Sequence, residues 1–220
     1  MLPNTATTPP AEPHAVLGLR ERRRRATETE VGDAALQLFE QQGVAATTVG
    51  DISRAAGISE RTFFRYFSAK EEAVLDFQHW FDAPTRAWLS SGPDERPLLE
   101  QLEEVCARVL RDLDGPRGDD AGRLRRIRSL MKTEPTLRAV SATLDDEQSS
   151  ALAQRITEAL APRFSPLEAR LAAEMIGMGL RAACENWSTR LERGETATLE
   201  ESYALVRRTT RALTASPAAD

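Results

Sequence analysis

The sequence predicts an all-α protein: an N-terminal three-helix helix-turn-helix domain followed by a helical bundle, about nine helices in all. Three observations support this. Beyond residue 18 apolar residues recur at spacings of three and four, the period of a helix face, and strand-like alternation is missing. The segments are separated by short turns that contain Gly or Pro. The length of 220 residues suits one large domain or two small ones.

The chain divides into four parts by pattern. Residues 1–18 combine Pro, Thr, Ala and Asn without periodicity, which predicts a disordered N-terminal arm. Residues 19–66 contain the helix-turn-helix pattern. Residues 67–214 are expected to form the second domain, and residues 215–220 a tail.

The first helix is predicted roughly from Arg20 to Gln42, where Gly43 can end it in a left-handed cap. In the next helix Thr48 is an N-cap residue, and Asp51 stands where a capping box usually has Glu.

A turn around Gly57 should follow the second helix. Ser59 then caps a third helix that extends to Phe67.

The rest of the chain shows the same helical pattern. Further helices are predicted for Lys70 to about Leu89, Leu98 to Leu113, about Ala121 to Lys132, Pro135 to about Leu160, Leu167 to Leu191, and about Leu199 to Leu213.

Charge is distributed unevenly along the chain. The net charge of the whole chain is -5, yet residues 20–70 carry +2 and the part after them -6. Because phosphate attracts cations, any DNA-binding surface is expected near the N-terminus.

The third helix has two different faces. Arg61 and Arg65 lie one i,i+4 step apart on a polar face, while Phe63 and Phe67 share an apolar one. A helix in the major groove needs this arrangement, with core anchors behind and base-contacting side chains in front. The alternative is a solvated face on an ordinary helical hairpin. The candidates for base readout are Glu60, Arg61, Thr62 and Arg65.

Other polar residues are candidates for phosphate contacts, namely Thr48, Tyr66 and Lys70. The run of Arg22, Arg23, Arg24 and Arg25, which precedes the apolar positions of the first helix, is a further candidate. It can form an arm along or in a neighbouring minor groove. Its alternative role, a solubilising helix start or nonspecific phosphate tether, is slightly favoured.

The stretch AALQLFEQQGVAATTVGDISRAAGISERTFFRYFSAKEEAV resembles the DNA-binding segment of TetR-type (tetracycline-repressor-like) transcriptional regulators. The shared features are a helix ending in LF and Gly, the TTV start of the second helix, GIS, the aromatic TFFRYF and KEE. The resemblance implies DNA contacts by Thr48, Arg61, Thr62, Arg65, Tyr66 and Lys70. Phe64 departs from the pattern, because the family usually has a phosphate-binding tyrosine there. The segment RTFFRYF is also similar to the mycofactocin-type branch of these regulators. This similarity implies an acyl-CoA-like effector.

Aromatic residues are concentrated after the helix-turn-helix. They could line a pocket for a small hydrophobic effector, although such a stripe at helical spacing is more often part of the core. The pocket prediction, guided by the resemblance, comprises Phe77, Trp80, Phe81, Trp88, Met131, Met175, Met178 and Trp187.

Small and apolar residues of the last two helices suit a two-fold four-helix interface, which predicts a homodimer. The alternative is packing within one chain. The predicted interface residues are Leu171, Ala172, Gly179, Ala183, Tyr203 and Val206.

Several classes of function are disfavoured by composition. The only histidines are His14 and His79, and Cys106 and Cys184 lie far apart, so we expect no metal, no cofactor and no disulfide. Residues 145–150 are expected on a solvated helix surface without a general base, which argues against an enzyme. We expect no secretory signal and no membrane span, and hence a cytoplasmic protein.

These observations predict a DNA-binding transcriptional regulator, a repressor released by its effector, that binds a two-fold DNA operator as a dimer. The alternatives are a ligand-independent architectural DNA-binding protein and, less favoured, a helical-bundle small-molecule-binding protein or enzyme.

Overall fold

The computed structural model describes residues 19–75, 77–92, 94–115 and 119–214. Within these ranges it contains ten α-helices and no strand, so the predicted all-α class is confirmed. The predicted arm (1–18) and tail (215–220) lie outside the described residues.

The helices follow the predicted order with short connections. They are α1 (Leu19–Gln42), α2 (Val49–Ala55), α3 (Glu60–Phe63), α4 (Glu72–Leu75), α5 (Gln78–Ser91), α6 (Leu98–Leu113), α7 (Asp120–Thr133), α8 (Pro135–Leu160), α9 (Pro166–Glu192) and α10 (Leu199–Thr214). None of the described helices is long and apolar enough to cross a bilayer.

A first apolar cluster holds the N-terminal helices together. Phe39 of α1, Ile52 of α2 and Phe63 of α3 are almost fully buried in it. The cluster extends beyond the predicted domain boundary after residue 66, because α4 and also Ile127 of α7 and Leu137 of α8 contribute to it. The helix-turn-helix is therefore packed directly against the helices of the second domain.

A second cluster lies among α6, α8, α9 and α10, with the aromatic residues of α5 packed against it. Ile156, Ala183 and Leu199 are completely buried there. Helix α9 packs along both α8 and α10, so it is the central helix of the bundle.

The prediction of one helix from Lys70 to about Leu89 is wrong, because the described residues form α4 and α5 instead. Phe77 lies at the junction, packs against both apolar clusters and stacks on Trp80 with ring centroids 5.4 Å apart. The interruption lets α4 pack against α1 while the aromatic residues of α5 pack against the second cluster.

The third helix is shorter than predicted. Regular helix α3 ends at Phe63, although the backbone N–H of Phe67 still donates to the carbonyl of Phe63 at 3.0 Å. The chain thus remains coiled to Phe67, which keeps both phenylalanines in the core.

Candidate functional site

The start of α2 has the capping box that the sequence predicts. The Thr48 hydroxyl accepts a hydrogen bond from the Asp51 N–H at 3.1 Å, and the Asp51 carboxylate accepts from the Thr48 N–H at 3.1 Å. The hydrogen bonds from the Thr48 hydroxyl and N–H, with one from Arg54, hold the pKa of Asp51 below its ordinary value. Thr48 is exposed and fixed in place at this helix end.

The turn between α2 and α3 requires glycine at one position. Gly57 has a φ of +67°, a conformation that costs other residues free energy. Beyond it the Ile58 N–H donates to the Ser53 carbonyl at 2.9 Å. The Ser59 hydroxyl then caps α3 by accepting from the Thr62 N–H at 3.1 Å, as predicted.

The predicted base-contacting residues lie on α3 and on the turn that follows it. Residues 60–67 are called here the α3 turn. Arg61 is exposed and forms no hydrogen bond or ion pair with any described residue. The exposed Arg65 donates to the Tyr66 hydroxyl at 2.9 Å, and its guanidinium lies 4.8 Å from that ring's centroid. Half-buried Thr62 has its hydroxyl 2.9 Å from that of Ser59.

Glu60 behaves differently from the other candidates. Its carboxylate lies over Gly50 at the start of α2, where a Cβ atom would be 2.9 Å from Oε1. The glycine therefore leaves room for the Glu60 carboxylate at the start of α2.

Phe64 presents an apolar ring to solvent beside these polar residues, with 56% of the residue exposed. It stands where the TetR pattern usually has tyrosine, and it lacks the hydroxyl that could donate to a phosphate.

The side chain of Lys70 already forms hydrogen bonds within the chain. Its ammonium donates to the carbonyls of Val44 and Thr47 at 2.6 and 2.8 Å, which ties the α1–α2 loop to the segment after α3. Sequence reasoning missed this role, since it joins residues more than twenty positions apart. The phosphate contact of Lys70 stays a prediction.

The run Arg22–Arg25 belongs to the first turns of α1 and is not an arm outside a helix. Arg22, Arg23 and Arg24 are exposed, and Arg24 pairs with Glu28 at 2.8 Å. The side chains of four successive residues in a helix point in all directions around the helix axis. They therefore cannot all contact one DNA backbone.

A cavity of about 170 Å³ lies between α5, α6, α7, α8 and α9. Four of the eight residues predicted for the pocket line it, namely Phe77, Trp80, Phe81 and Met131. The structure does not bring the other four to the cavity. Trp88 donates to Gln101, buried Trp187 donates to the Ala197 carbonyl, Met178 is exposed, and Met175 is half-buried outside the lining.

The prediction that residues 145–150 lie on a solvated surface is wrong for part of the segment. Asp145 lines the cavity, and Ser149 lines it with 5% of its surface exposed. Burial raises the pKa of Asp145 above its ordinary value, although the charges of Arg181 and Arg128 act in the opposite direction. The polar lining residues that sequence reasoning missed are Thr85, Arg128, Ser141, Asp145, Gln148, Ser149, Arg155 and Arg181.

The predicted dimer interface needs correction. Ala172, Ala183 and Tyr203 are buried within the single chain, and Gly179 faces Tyr203 and Val206 of α10. This stripe of small residues therefore lets α9 and α10 of one chain approach closely.

Leu171 differs from the other predicted interface residues, because it is 54% exposed. It is one of the large apolar side chains that α9 and α10 leave exposed, and this set is called here the outer face. Its residues are Leu167, Leu171, Met178, Leu205 and Leu213.

Both cysteines are free. Burial raises the pKa of Cys106 to about 12 and that of Cys184 to about 11, so both thiols stay protonated at neutral pH. No three His, Cys, Asp or Glu side chains in the described part of the chain are grouped to hold a metal ion.

Comparison with known proteins identifies the class. Residues 32–76 match the family model described as bacterial regulatory proteins, tetR family. The HTH-type transcriptional regulator TcmR of Streptomyces glaucescens is 33% identical over 156 residues, which cover 70% of this chain and 67% of that protein. The chain belongs to the TetR family of bacterial transcriptional regulators and is a DNA-binding regulator of transcription.

The chain is also similar to two other proteins. The putative mycofactocin biosynthesis transcriptional regulator MftR of Mycobacterium tuberculosis is 34% identical over 125 residues, 56% of this chain and 60% of that protein. The crystal structure of Thermus thermophilus FadR in complex with lauroyl-CoA aligns with a TM-score of 0.49 and 20% identity, over 87% of this chain and 97% of that chain.

Proposed function

We propose that the protein is a cytoplasmic homodimeric repressor that binds a two-fold DNA operator and is released when a small apolar effector occupies the cavity. The observation that carries this proposal is the position of the cavity. Helix α7 forms part of the cavity wall, and it also contributes residues to the apolar cluster of the helix-turn-helix.

The α3 turn supports recognition of specific bases. The buried Phe63 and Phe67 anchor it from behind, and Arg61 and Arg65 remain on the exposed side. Arginine recognises guanine through bidentate hydrogen bonds in the major groove. The contact between Arg65 and Tyr66 holds that guanidinium on the surface until DNA replaces it.

The outer face supports dimer formation. A two-fold interface places the same patch of each subunit against its copy, so an apolar patch buries itself. This face includes Leu171 and Met178 of α9 and Leu205 of α10. We infer that two outer faces meet in a four-helix arrangement, which would fix the spacing of the two DNA-contacting turns.

Helix α7 contacts both the cavity and α1, which connects effector binding to the DNA-binding helices. On one side Leu124 and Met131 line the cavity. On the other side Arg123 pairs with Asp33 at 3.0 Å and Arg126 pairs with Glu40 at 2.5 Å, both on α1. An effector that displaces α7 therefore pulls on the helix that packs behind α2, and the two DNA-contacting turns move away from operator spacing.

The alternative functions differ in what they require. An architectural DNA-binding protein needs no cavity inside its helical bundle. An enzyme needs reacting groups, and the relatives of this chain are transcriptional regulators.

The test is release of operator by compounds that occupy the cavity. An operator is first selected from random DNA by the full chain, and compounds are screened by quenching of Trp80 fluorescence, with Trp80→Phe as the control for occupancy. Binders should lower operator affinity about 5- to 150-fold, and operator should weaken their binding by the same factor. Compounds that fill the cavity and leave operator affinity unchanged would contradict the proposal.

A further inference from the structure

The cavity has two chemically different sides. The side from α5 and α6 is apolar except for Thr85, with Trp80, Phe81 and Leu102 among its residues. The side from α8 is polar, because Asp145 and Gln148 face the cavity one helical turn apart. A purely apolar ligand would bury this polar side without offering it hydrogen bonds, which costs free energy.

Positive charge exceeds negative charge in the lining. Arg128, Arg155 and Arg181 line the cavity, with Asp145 the single acidic residue among the described lining residues. Arg181 already pairs with Asp145, with Nη1 and Oδ2 3.3 Å apart. Arg155 lies 3.7 Å from Asp82, and its buried Nε has no hydrogen-bond partner among the described residues.

Arg128 is the least compensated of the three. It is half-buried, and the hydrogen-bond acceptor that the described structure offers its guanidinium is the thioether sulfur of Met131, 4.0 Å away. Sulfur is a weak acceptor. No described carboxylate lies within ion-pair distance of Arg128. An anionic group beside it would recover the solvation that the guanidinium loses on burial.

We propose that the effector is an anionic amphiphile whose apolar body lies against Trp80 and Phe81 and whose acidic group accepts hydrogen bonds from Arg128. This proposal rests on the proposed function, since it assumes that the cavity holds the effector. A cationic ligand is disfavoured because Asp145, the one carboxylate in the described lining, is already paired with Arg181.

Three probes with the same ten-carbon tail test the charge preference, namely decanoate, decanol and decylammonium. Calorimetric titration of the full chain at neutral pH should show decanoate binding at least about ten-fold tighter than decanol, which corresponds to one charge-assisted hydrogen-bonded contact. Decylammonium should bind more weakly than decanol.

Variants of α7 assign the preference to one residue. Arg128→Met keeps an unbranched, flexible side chain and removes its charge, so it should abolish the preference for decanoate while decanol binds as before. Arg125→Met is the matched control, because Arg125 is exposed on the same helix, does not line the cavity and has no described ion-pair partner. This variant should keep the full preference.

The possible results separate the two proposals. Equal binding of decanoate and decanol, tighter binding of decylammonium, absence of all binding, or a preference that survives in Arg128→Met would each overturn the anionic effector. If decanol and decanoate bind equally and both release operator, the proposed function stands and the anionic effector falls. If decanoate binds through Arg128 without releasing operator, the anion site stands and the proposed function falls.

Discussion

At the scale of single residues, Lys70 combines a structural role with a predicted DNA contact. Its ammonium ties the loop before α2 through two carbonyl oxygens, those of Val44 and Thr47. A cation that holds the loop in this way also places positive charge beside the N-cap residue Thr48. Its structural role and its predicted phosphate contact are therefore compatible, and they can be measured separately.

Lys70→Met should lower the free energy of unfolding by about 1.5–3 kcal/mol, because hydrogen bonds to a charged group are lost and two carbonyls lose their donor. Urea denaturation measures this change. The only other lysine, Lys132, is exposed, and Lys132→Met should cost less than about 1 kcal/mol. If Lys70 also contacts a phosphate, the slope of log affinity against log salt should fall by about 0.9 per subunit. Unchanged stability in Lys70→Met would contradict the structural role.

At the scale of helices, the contacts between α1 and α7 join the DNA-binding part to the cavity. The guanidinium of Arg126 donates to Glu40 and holds the pKa of that carboxyl below its ordinary value of 4.5. A carboxylate with a lowered pKa stabilises the folded state fully above its unfolded pKa, and this stabilisation is lost as pH falls through the folded pKa.

Glu40→Gln should therefore lower stability at pH 7, by about 0.2–1 kcal/mol for a partly exposed pair, and should lose less stability than the wild type between neutral pH and acid. Thermal unfolding over this range of pH provides the measurement. Glu30→Gln is the control, since Glu30 is exposed on the same helix and pairs with no described residue. Identical acid profiles for Glu40→Gln and the wild type would show that the pair does not hold α1 to α7.

The helices were largely predictable because their signals are local. Thr48, Gly57 and Ser59 specify the ends of α2 and α3 through contacts within a few residues, and the structure has these caps. The break between α4 and α5 depends on two apolar clusters that Phe77 joins, and no local pattern indicates it.

The candidate sites were harder to predict for a similar reason. The small residues of α9 suit close packing with α10 of the same chain as well as with another subunit, and the structure assigns Gly179 to the first role. The polar residues of α8 have the pattern of a solvated face, and only the arrangement of the bundle places Asp145 in the cavity wall. Periodicity identifies a face, but its partner depends on the fold of the whole chain.

At the scale of the whole molecule, the proposed function requires two copies whose DNA-contacting turns are held at a fixed distance. The outer face is the candidate contact, and Leu171, one of its residues, is 54% exposed. Because a two-fold interface brings each residue close to its own copy or to a neighbour of it, one substitution changes the contact twice.

Leu171→Glu should convert the dimer to a folded monomer or weaken dimerisation at least about ten-fold, since it places two carboxylates in an apolar interface. Sedimentation analysis measures the association, and circular dichroism checks the fold. Ala87→Glu introduces the same charge at an exposed position of α5 away from the outer face and should leave the dimer intact. A Leu171→Glu protein that dimerises like the wild type would exclude the outer face as the interface.

The central claim is that the α3 turn recognises DNA sequence within a two-fold dimer. Selection from random DNA tests it most directly, with the wild type compared with Arg61→Ala/Arg65→Ala. The wild type should enrich an inverted repeat whose half-sites are centred about one helical turn, 10–10.5 base pairs, apart. The variant should lose about 1–3 kcal/mol of discrimination per arginine and enrich a degenerate pool. An asymmetric single site, or the same motif enriched by the variant, would contradict the account.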